Sequence, residues 1–263
     1  GSGIGGGGFW LLHRARDGRE VMIDGRERAP MAATADMYLD NRGEVIPNSS
    51  IDGPLAAGIP GVPAALEHIA RYYGRLPLSV SLGPAIVLAR EGFPVDAVYR
   101  RMASFRLDAL RGSEAARAQF LLDGEVPPLG HTIRQPALAD TLARIAERGA
   151  RGFYRGDLAH RMVAAVRAAG GIWTEHDLRD YRVIERLPVI VEYRGHRIVS
   201  ASLPSSGGIL IGQMLKMLDA LEFERADGID RQHLLVEVMR LAYADRARYL
   251  GDRDFVPVPV ARL

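Results

Sequence analysis

Six of the first eight residues are glycine, GSGIGGGG, and the apolar run Phe9-Trp10-Leu11-Leu12 follows at once. A run of this kind has three uses. It is a flexible linker, a phosphate-cradling dinucleotide fingerprint, or native backbone lying so close to something that no side chain fits. Gly1-x-Gly3-x-x-Gly6 and Gly3-x-Gly5-x-x-Gly8 both meet the dinucleotide spacing. The residues that follow decide among these uses. Phe9–Leu12 leads to Asp17-Gly18 and then to Val21-Met22-Ile23. Two apolar runs around an Asp-Gly turn predict a β-hairpin over 9–24. The dinucleotide motif needs a strand before its glycines and a helix after them, so it is excluded. The linker reading weakens because Ile4 interrupts the run and no polar spacer precedes the strand. Close backbone approach remains, with a strained turn as its plain structural counterpart.

The length of 263 residues is enough to bury a sizeable core, in one large domain or two small ones. Apolar residues at 48% with 25% charged are ordinary globular composition. The net charge is +2 and the cations are almost all arginine, Lys216 being the sole lysine. Those arginines alternate with acids, as in Arg14-Ala15-Arg16-Asp17 and Glu224-Arg225-Ala226-Asp227. That pattern is a solvated mixed-charge surface, and it argues against a nucleic-acid partner. There is no cysteine, hence no disulfide, thiol nucleophile or thiolate metal site. No apolar run approaches the roughly 18 residues a membrane helix needs. The missing initiator Met and the glycine start predict an internal segment of a longer protein.

Helical patterning dominates from residue 62. Pro63 suits a first turn, Leu66, Ile69, Ala70 and Tyr73 share a face, and Gly74 is the stop. A second helix is predicted over 79–91 and a third from Pro94 through Met102, Phe105 and Leu110. Residues 123–135 read as a connector. Leu138, Leu142 and Ile145 mark a helix over 136–149, and another spans about 157–169. Thr174-x-x-Asp177 is a capping-box pattern. Strands are predicted over 183–193 and 196–200 around Arg194-Gly195. Helices follow over 209–221 and about 230–249, and the prolines of 255–259 keep the tail extended.

No self-sufficient catalytic apparatus is visible. His-Glu-x-x-His, a Walker lysine and Gly-x-Ser-x-Gly are all missing from the sequence. The seven histidines are scattered with no i, i+4 pair, which argues against zinc. Asp252 and Asp254 have a capping or turn explanation. Three stretches are unusual. One is the glycine run. The second is "DGRERAP" (24–30), where Arg26 offers a planar fork suited to a carboxylate. Read alone, Arg26 is better explained as solvent-facing and paired with Glu27 or Asp24. The third is "PSSGG" (204–208), where Ser205 or Ser206 caps the following helix or the exposed amides take an anion.

Taken together, "SGIGGGGF" and "D-x-R-E-x-A-P" one hairpin later resemble the γ-glutamyltranspeptidase family. So do "GPLAAGIPGVPAAL" (53–66), "YGRLP" (73–77), "AREGFPV" (89–95), "QPALADTL" (135–142), "GFYRGDLA" (152–159), "AAGGIWTEHDLRDYRV" (168–183), "LPSSGG" (203–208) and "AYADRARYLGDRDFV" (242–256). The resemblance implies an α+β fold, the four-layer αββα N-terminal-nucleophile hydrolase architecture. Residues 1–263 would be a partial large-subunit domain, its helix-rich part. The partner would be a small subunit of the same precursor, whose leading threonine attacks a γ-glutamyl amide such as glutathione. Thr34, Thr132, Thr141 and Thr174 lack the family's Thr-Thr-His context, so no catalytic residue is assigned in this chain. Arg26, by its place in R-E-x-A-P, is implied to bind the substrate's α-carboxylate. No cofactor or metal is implied, and the family's bacterial members suggest a periplasmic or extracellular location. Gly25 departs from relatives that carry a side chain there, which opens the pose of Arg26 and the choice of donor. Two alternatives stand beside this reading: an acylase of the same superfamily acting on another amide, and a non-catalytic scaffold or binding module. Made alone, such a segment would leave sheet edges unpaired, predicting poor solubility or dimerisation.

Overall fold

A computed structural model describes residues 3–221 and 223–263. The class is α+β, and the chain divides into two compact units. The first runs to Gly8 and resumes over Gly25–Val183; the second comprises Phe9–Asp24 and Ile184–Leu263.

The first unit is helical because its apolar residues recur at helical spacing between firm stops. Helix α1 (Val62–Tyr72) carries Pro63 in its first turn, and the amides of Tyr73 and Gly74 close on the Ile69 carbonyl. Helix α2 (Leu78–Glu91) packs along α6 (Pro136–Arg148), which buries Ala139, Leu142 and Ile145. Short α7 (Arg151–Tyr154) and α8 (Gly156–Ala168) follow, then α9 (Glu175–Arg179). Ile59, Leu142, Ile145, Phe153, Tyr154, Trp173, Leu178 and Tyr181 form the core of this unit.

Two expectations for this unit fail. The single helix expected from Pro94 to Leu110 breaks at Arg106 (φ −111°, ψ 16°) into α3 (Ala97–Phe105) and α4 (Leu107–Arg111). Met102 and Phe105 are exposed there, whereas Ala103 is buried, so the large apolar residues did not mark the inward face. Ser113, whose Oγ accepts the Ala116 amide at 3.3 Å, starts a further helix, α5 (Glu114–Phe120). The connector also holds strand β4 (Thr132–Ile133), antiparallel to β3 (Phe93–Pro94); two-residue strands are too short for a period to register.

In the second unit, β1 (Gly8–Arg14) and β2 (Arg19–Gly25) form the expected hairpin, and β5 (Ile184–Arg186) adds to β2 with Met22 opposite Arg186. The strand expected over 183–193 is interrupted at Leu187-Pro188, because proline cannot donate to a ladder. Its second half, β6 (Val189–Tyr193), pairs instead with β7 (His196–Ser200). The turn between them holds Arg194 and Gly195 at φ 51° and 75°, the left-handed pair a two-residue hairpin needs. Helices α10 (Gly207–Ala220) and α11 (Gly228–Tyr249) pack on each other, and α10 lies on β6.

Within this unit, Arg186 joins two acids. Its Nε donates to Asp24 Oδ2 at 2.8 Å, and its two terminal nitrogens donate to Asp254 at 2.9 and 2.5 Å. The side chains of Arg186 and Asp24 are 9% and 8% exposed. The turn explanation therefore fits Asp252, whose carboxylate accepts the Asp254 amide, but Asp254 belongs to an ion cluster.

Candidate functional site

The chain leaves β2 through Arg26–Pro30, and neighbours fix that segment at successive points. Gly7 lies against the Arg26–Glu27 peptide: a Cβ added there would sit 2.6 Å from Arg26 Cα and closer still to the Glu27 amide. The Tyr181 hydroxyl donates to the Arg26 carbonyl at 2.7 Å. Arg28 and Ile59 exchange backbone hydrogen bonds of 3.1 and 2.7 Å. The Met31 amide donates to Asp177 Oδ1 at 2.8 Å. The close-approach reading of the glycine run thus holds at Gly7, and its neighbour is the Arg26 segment. Gly1 and Ser2, which open the run, lie outside the described residues.

The pose left open by Gly25 is also constrained. Gly25 is buried at the end of β2, and Gly61 abuts its carbonyl too closely for any side chain on Gly61. The Gly61 amide in turn donates to the Gly6 carbonyl at 2.8 Å, so the adjacent Gly6 and Gly7 both meet this corner.

The Arg26 side chain lines a cleft of about 770 Å³ whose walls include Gly5, Arg28, Thr34, Tyr38 and Trp173. Its Nε is 4.0 Å from Glu27 Oε2, and the side chain is 55% exposed. The local reading, a solvent-facing Arg26 beside Glu27 or Asp24, is met by Glu27, and Arg186 engages Asp24. Two guanidinium groups and one carboxylate on one wall can hold a ligand carrying both a carboxylate and an ammonium group.

Asp177 does two jobs. Its Oδ2 accepts from the Thr174 amide at 2.8 Å and the Thr174 hydroxyl at 2.6 Å, completing the expected capping box. Its other oxygen tethers the Met31 end of the Arg26 segment. Burial alone would raise its carboxyl, but hydrogen bonds from Thr174 and Met31 outweigh that and hold it below the ordinary carboxylate value. Asp177→Ala is expected to lower stability by about 2 kcal/mol through the lost cap and the stranded Met31 amide. The folded carboxyl is the more acidic, so its contribution is full above the unfolded value, near pH ~4, and fades as pH falls through the folded value. Urea unfolding of wild type and variant at pH 7, and again in acid, should therefore show the gap narrowing in acid. Gly7→Ala should cost about 1–2 kcal/mol by overpacking the Arg26–Glu27 peptide. A thermal midpoint unchanged in that variant would mean the close approach is not enforced.

The third unusual stretch behaves differently from its expectation. Ser206 stands at the N-cap of α10 without capping it; its Oγ accepts from Arg246 Nε at 3.1 Å. Ser205 Oγ instead accepts the Gly207 amide at 3.4 Å, a bond within the turn. The histidines lie at the surface where they pair, as in His160 with Glu175 and His176 with Asp180. Among the described residues no group of three or more His, Asp or Glu could hold a metal ion, and no helix is long and apolar enough to cross a membrane. Thr141 donates to the Ala137 carbonyl within α6, and Thr174 serves the capping box. Tyr181 and the tethering role of Asp177 were not read as site features. Both fall within "AAGGIWTEHDLRDYRV", the stretch whose resemblance to relatives was the available signal.

Comparison with known proteins identifies the family. The family model for gamma-glutamyltranspeptidase matches residues 1–263. A glutathione hydrolase proenzyme from Pseudomonas sp. (strain A14) is 41% identical over 270 residues, covering 99% of this chain and 46% of that protein. The chain thus spans somewhat under half the length of the curated relatives it matches. The structure of Helicobacter pylori gamma-glutamyltranspeptidase superposes with a TM-score of 0.92 at 39% identity, over 98% of this chain and 74% of that one. The gamma-glutamyltranspeptidase of Pseudomonas nitroreducens gives the same score and identity over 98% and 77%. With its N-terminal-nucleophile hydrolase fold and the R-E-x-A-P segment pinned at the edge of a cleft, the chain belongs to the γ-glutamyltranspeptidase family.

Proposed function

We propose that this chain is the substrate-recognising, large-subunit portion of an enzyme that cleaves γ-glutamyl amides such as glutathione. The observation that carries the reading is Arg26: its backbone is clamped at consecutive residues while its guanidinium borders a cleft. A guanidinium carried on fixed backbone binds a carboxylate without the cost of ordering the chain beneath it. In the reading, Arg26 grips the α-carboxylate of the donor and so sets the γ-amide at a fixed distance from the reacting groups. A threonine outside this chain supplies the nucleophile. Its hydroxyl adds to the amide carbonyl as its own α-amine takes the proton. The tetrahedral oxyanion collapses, the leaving amine departs protonated, and a γ-glutamyl ester remains. Water or an acceptor amine then releases the glutamyl group.

The small subunit of the same precursor is the partner in this reading. Helix α11 supports it, since Val236, Met239 and Tyr243, which share a face by their spacing, are 59%, 41% and 54% exposed, an apolar surface suited to burial against a protein. The complete gene product, after self-cleavage is confirmed, should release the chromophore from a γ-glutamyl anilide. Self-cleavage without that activity rejects the γ-glutamyl substrate class. It would favour an acylase acting on a different amide, the possibility Gly25 raised.

A further inference from the structure

The first unit has a second cavity, of about 400 Å³, bordered by five arginines: Arg71 on α1, Arg151 on α7, Arg155, Arg179 on α9, and Arg182. One carboxylate, Glu67, faces the same space, and it is already committed, with Oε2 accepting the Ala150 amide at 3.0 Å. Some arginines of the chain sit beside acids, as Arg14 does with Asp17 and Arg240 with Glu237. In this cavity one of the five does. Arg179 has Asp180 at 3.4 Å. Among the described residues Arg182 donates only to the backbone carbonyls of Arg179 and Tyr181, at 2.9 and 2.7 Å. Arg71 lies over the Tyr72 ring, 5.4 Å from its centroid. Arg151 and Arg155 have no ion pair or side-chain hydrogen bond among the described residues.

The floor beneath these cations is rigid. Tyr154 and Tyr181 stack with centroids 5.6 Å apart and planes 2° from parallel. Their hydroxyls are spoken for by the carbonyls of Pro60 and Arg26, each at 2.7 Å. A fixed apolar floor under converging guanidinium groups concentrates positive potential in a half-enclosed space. Among the described residues, Glu67 is the one carboxylate lining the cavity and Asp180 lies beside Arg179, so the cations there outnumber the acids. Like charges lining one cavity repel, and an anion bridging them turns that repulsion into charge-assisted hydrogen bonds. Several separated guanidinium forks suit a ligand with more than one anionic group, and the volume suits a small molecule.

We propose that this cavity binds a small polyanion bearing two or more phosphoryl or carboxyl groups, held by Arg71, Arg151, Arg155 and Arg182. The site is independent of the substrate reading, since its test measures binding and not turnover. Calorimetric titration of the full-length protein with inorganic pyrophosphate and, separately, citrate at about 150 mM salt should show saturable binding of at least one. Pyrophosphate alone would mark the phosphoryl class, citrate alone the carboxylate class, and both a general polyanion site. The double variant Arg151→Gln, Arg155→Gln should weaken binding by about tenfold or more, with an unchanged thermal midpoint in the absence of ligand. Arg151→Lys, Arg155→Lys should retain part of the affinity, since it keeps charge and loses the fork. Should the double variant fold poorly, Arg155→Gln alone decides by the same loss of affinity. Absence of saturable binding by either probe up to about 10 mM, or binding undiminished in the glutamine variant, overturns the proposal.

Discussion

Replacing Arg26 by alanine in the full-length protein is expected to raise the KM for a γ-glutamyl anilide by roughly 30- to 150-fold, equivalent to about 2–3 kcal/mol. The unfolding midpoint should barely move. The asymmetry follows from the site: the side chain is 55% exposed, whereas the backbone that carries it is held by Gly7, Tyr181, Ile59 and, through Met31, Asp177. Removing the guanidinium leaves every one of those backbone contacts in place. Arg26→Lys should recover part of the loss, because charge is retained while bidentate geometry is not. Steady-state kinetics on donors with and without the α-carboxylate provide the sharper measurement. A donor lacking that group should be insensitive to the substitution. An unchanged KM for the γ-glutamyl donor, in a variant with intact self-cleavage, would remove the carboxylate clamp from the account.

Arg186→Met should have the opposite profile, a loss of stability of about 3–5 kcal/mol, because it strips the guanidinium from a buried carboxylate. Asp24 is 8% exposed on its side chain and Arg186 9%, so water compensates little. Hydrogen bonds to Asp254 and Asp24, working against burial, push the Arg186 proton affinity still higher, so no accessible pH relieves the pair by deprotonating the arginine. The double replacement Arg186→Met, Asp24→Leu should regain much of the loss, since burying two apolar groups avoids the stranded charge. Urea or thermal unfolding of the three proteins separates the outcomes. If the single variant unfolds at the wild-type midpoint, the cluster is a surface feature without structural weight.

Much of the architecture was legible from local chemistry. The Asp17-Gly18 hairpin, the Pro63 and Gly74 boundaries of α1, and the Thr174–Asp177 box each rest on contacts within a few residues in sequence, and each forms as expected. Leu142 and Ile145 are buried as their spacing implied, although Ala139, not Leu138, is the fully buried neighbour. Local reasoning failed where a distant partner decided. The two halves of the strand from 183, parted at Leu187-Pro188, go to different partners, β2 and β7. Asp254, a turn residue by its surroundings, is recruited by Arg186, 68 positions away. Ser206, a cap by position, accepts from Arg246 instead.

The candidate site divides along the same line. The order of the R-E-x-A-P, glycine and LPSSGG stretches was enough to point to the family and to single out Arg26, because motifs report chemistry that chain neighbours carry together. What holds Arg26 in place comes from Gly7, Ile59, Asp177 and Tyr181, the last 155 residues away. Likewise, the arginines of the second cavity come from three separate stretches, Arg71, Arg151–Arg155 and Arg179–Arg182, and line one space only when α1, α7 and α9 pack. Sequence determined which side chains and turns were on hand. Tertiary packing decided which backbone lost its freedom and which charges were left facing one another, since close approach and shared potential act through space and not along the chain.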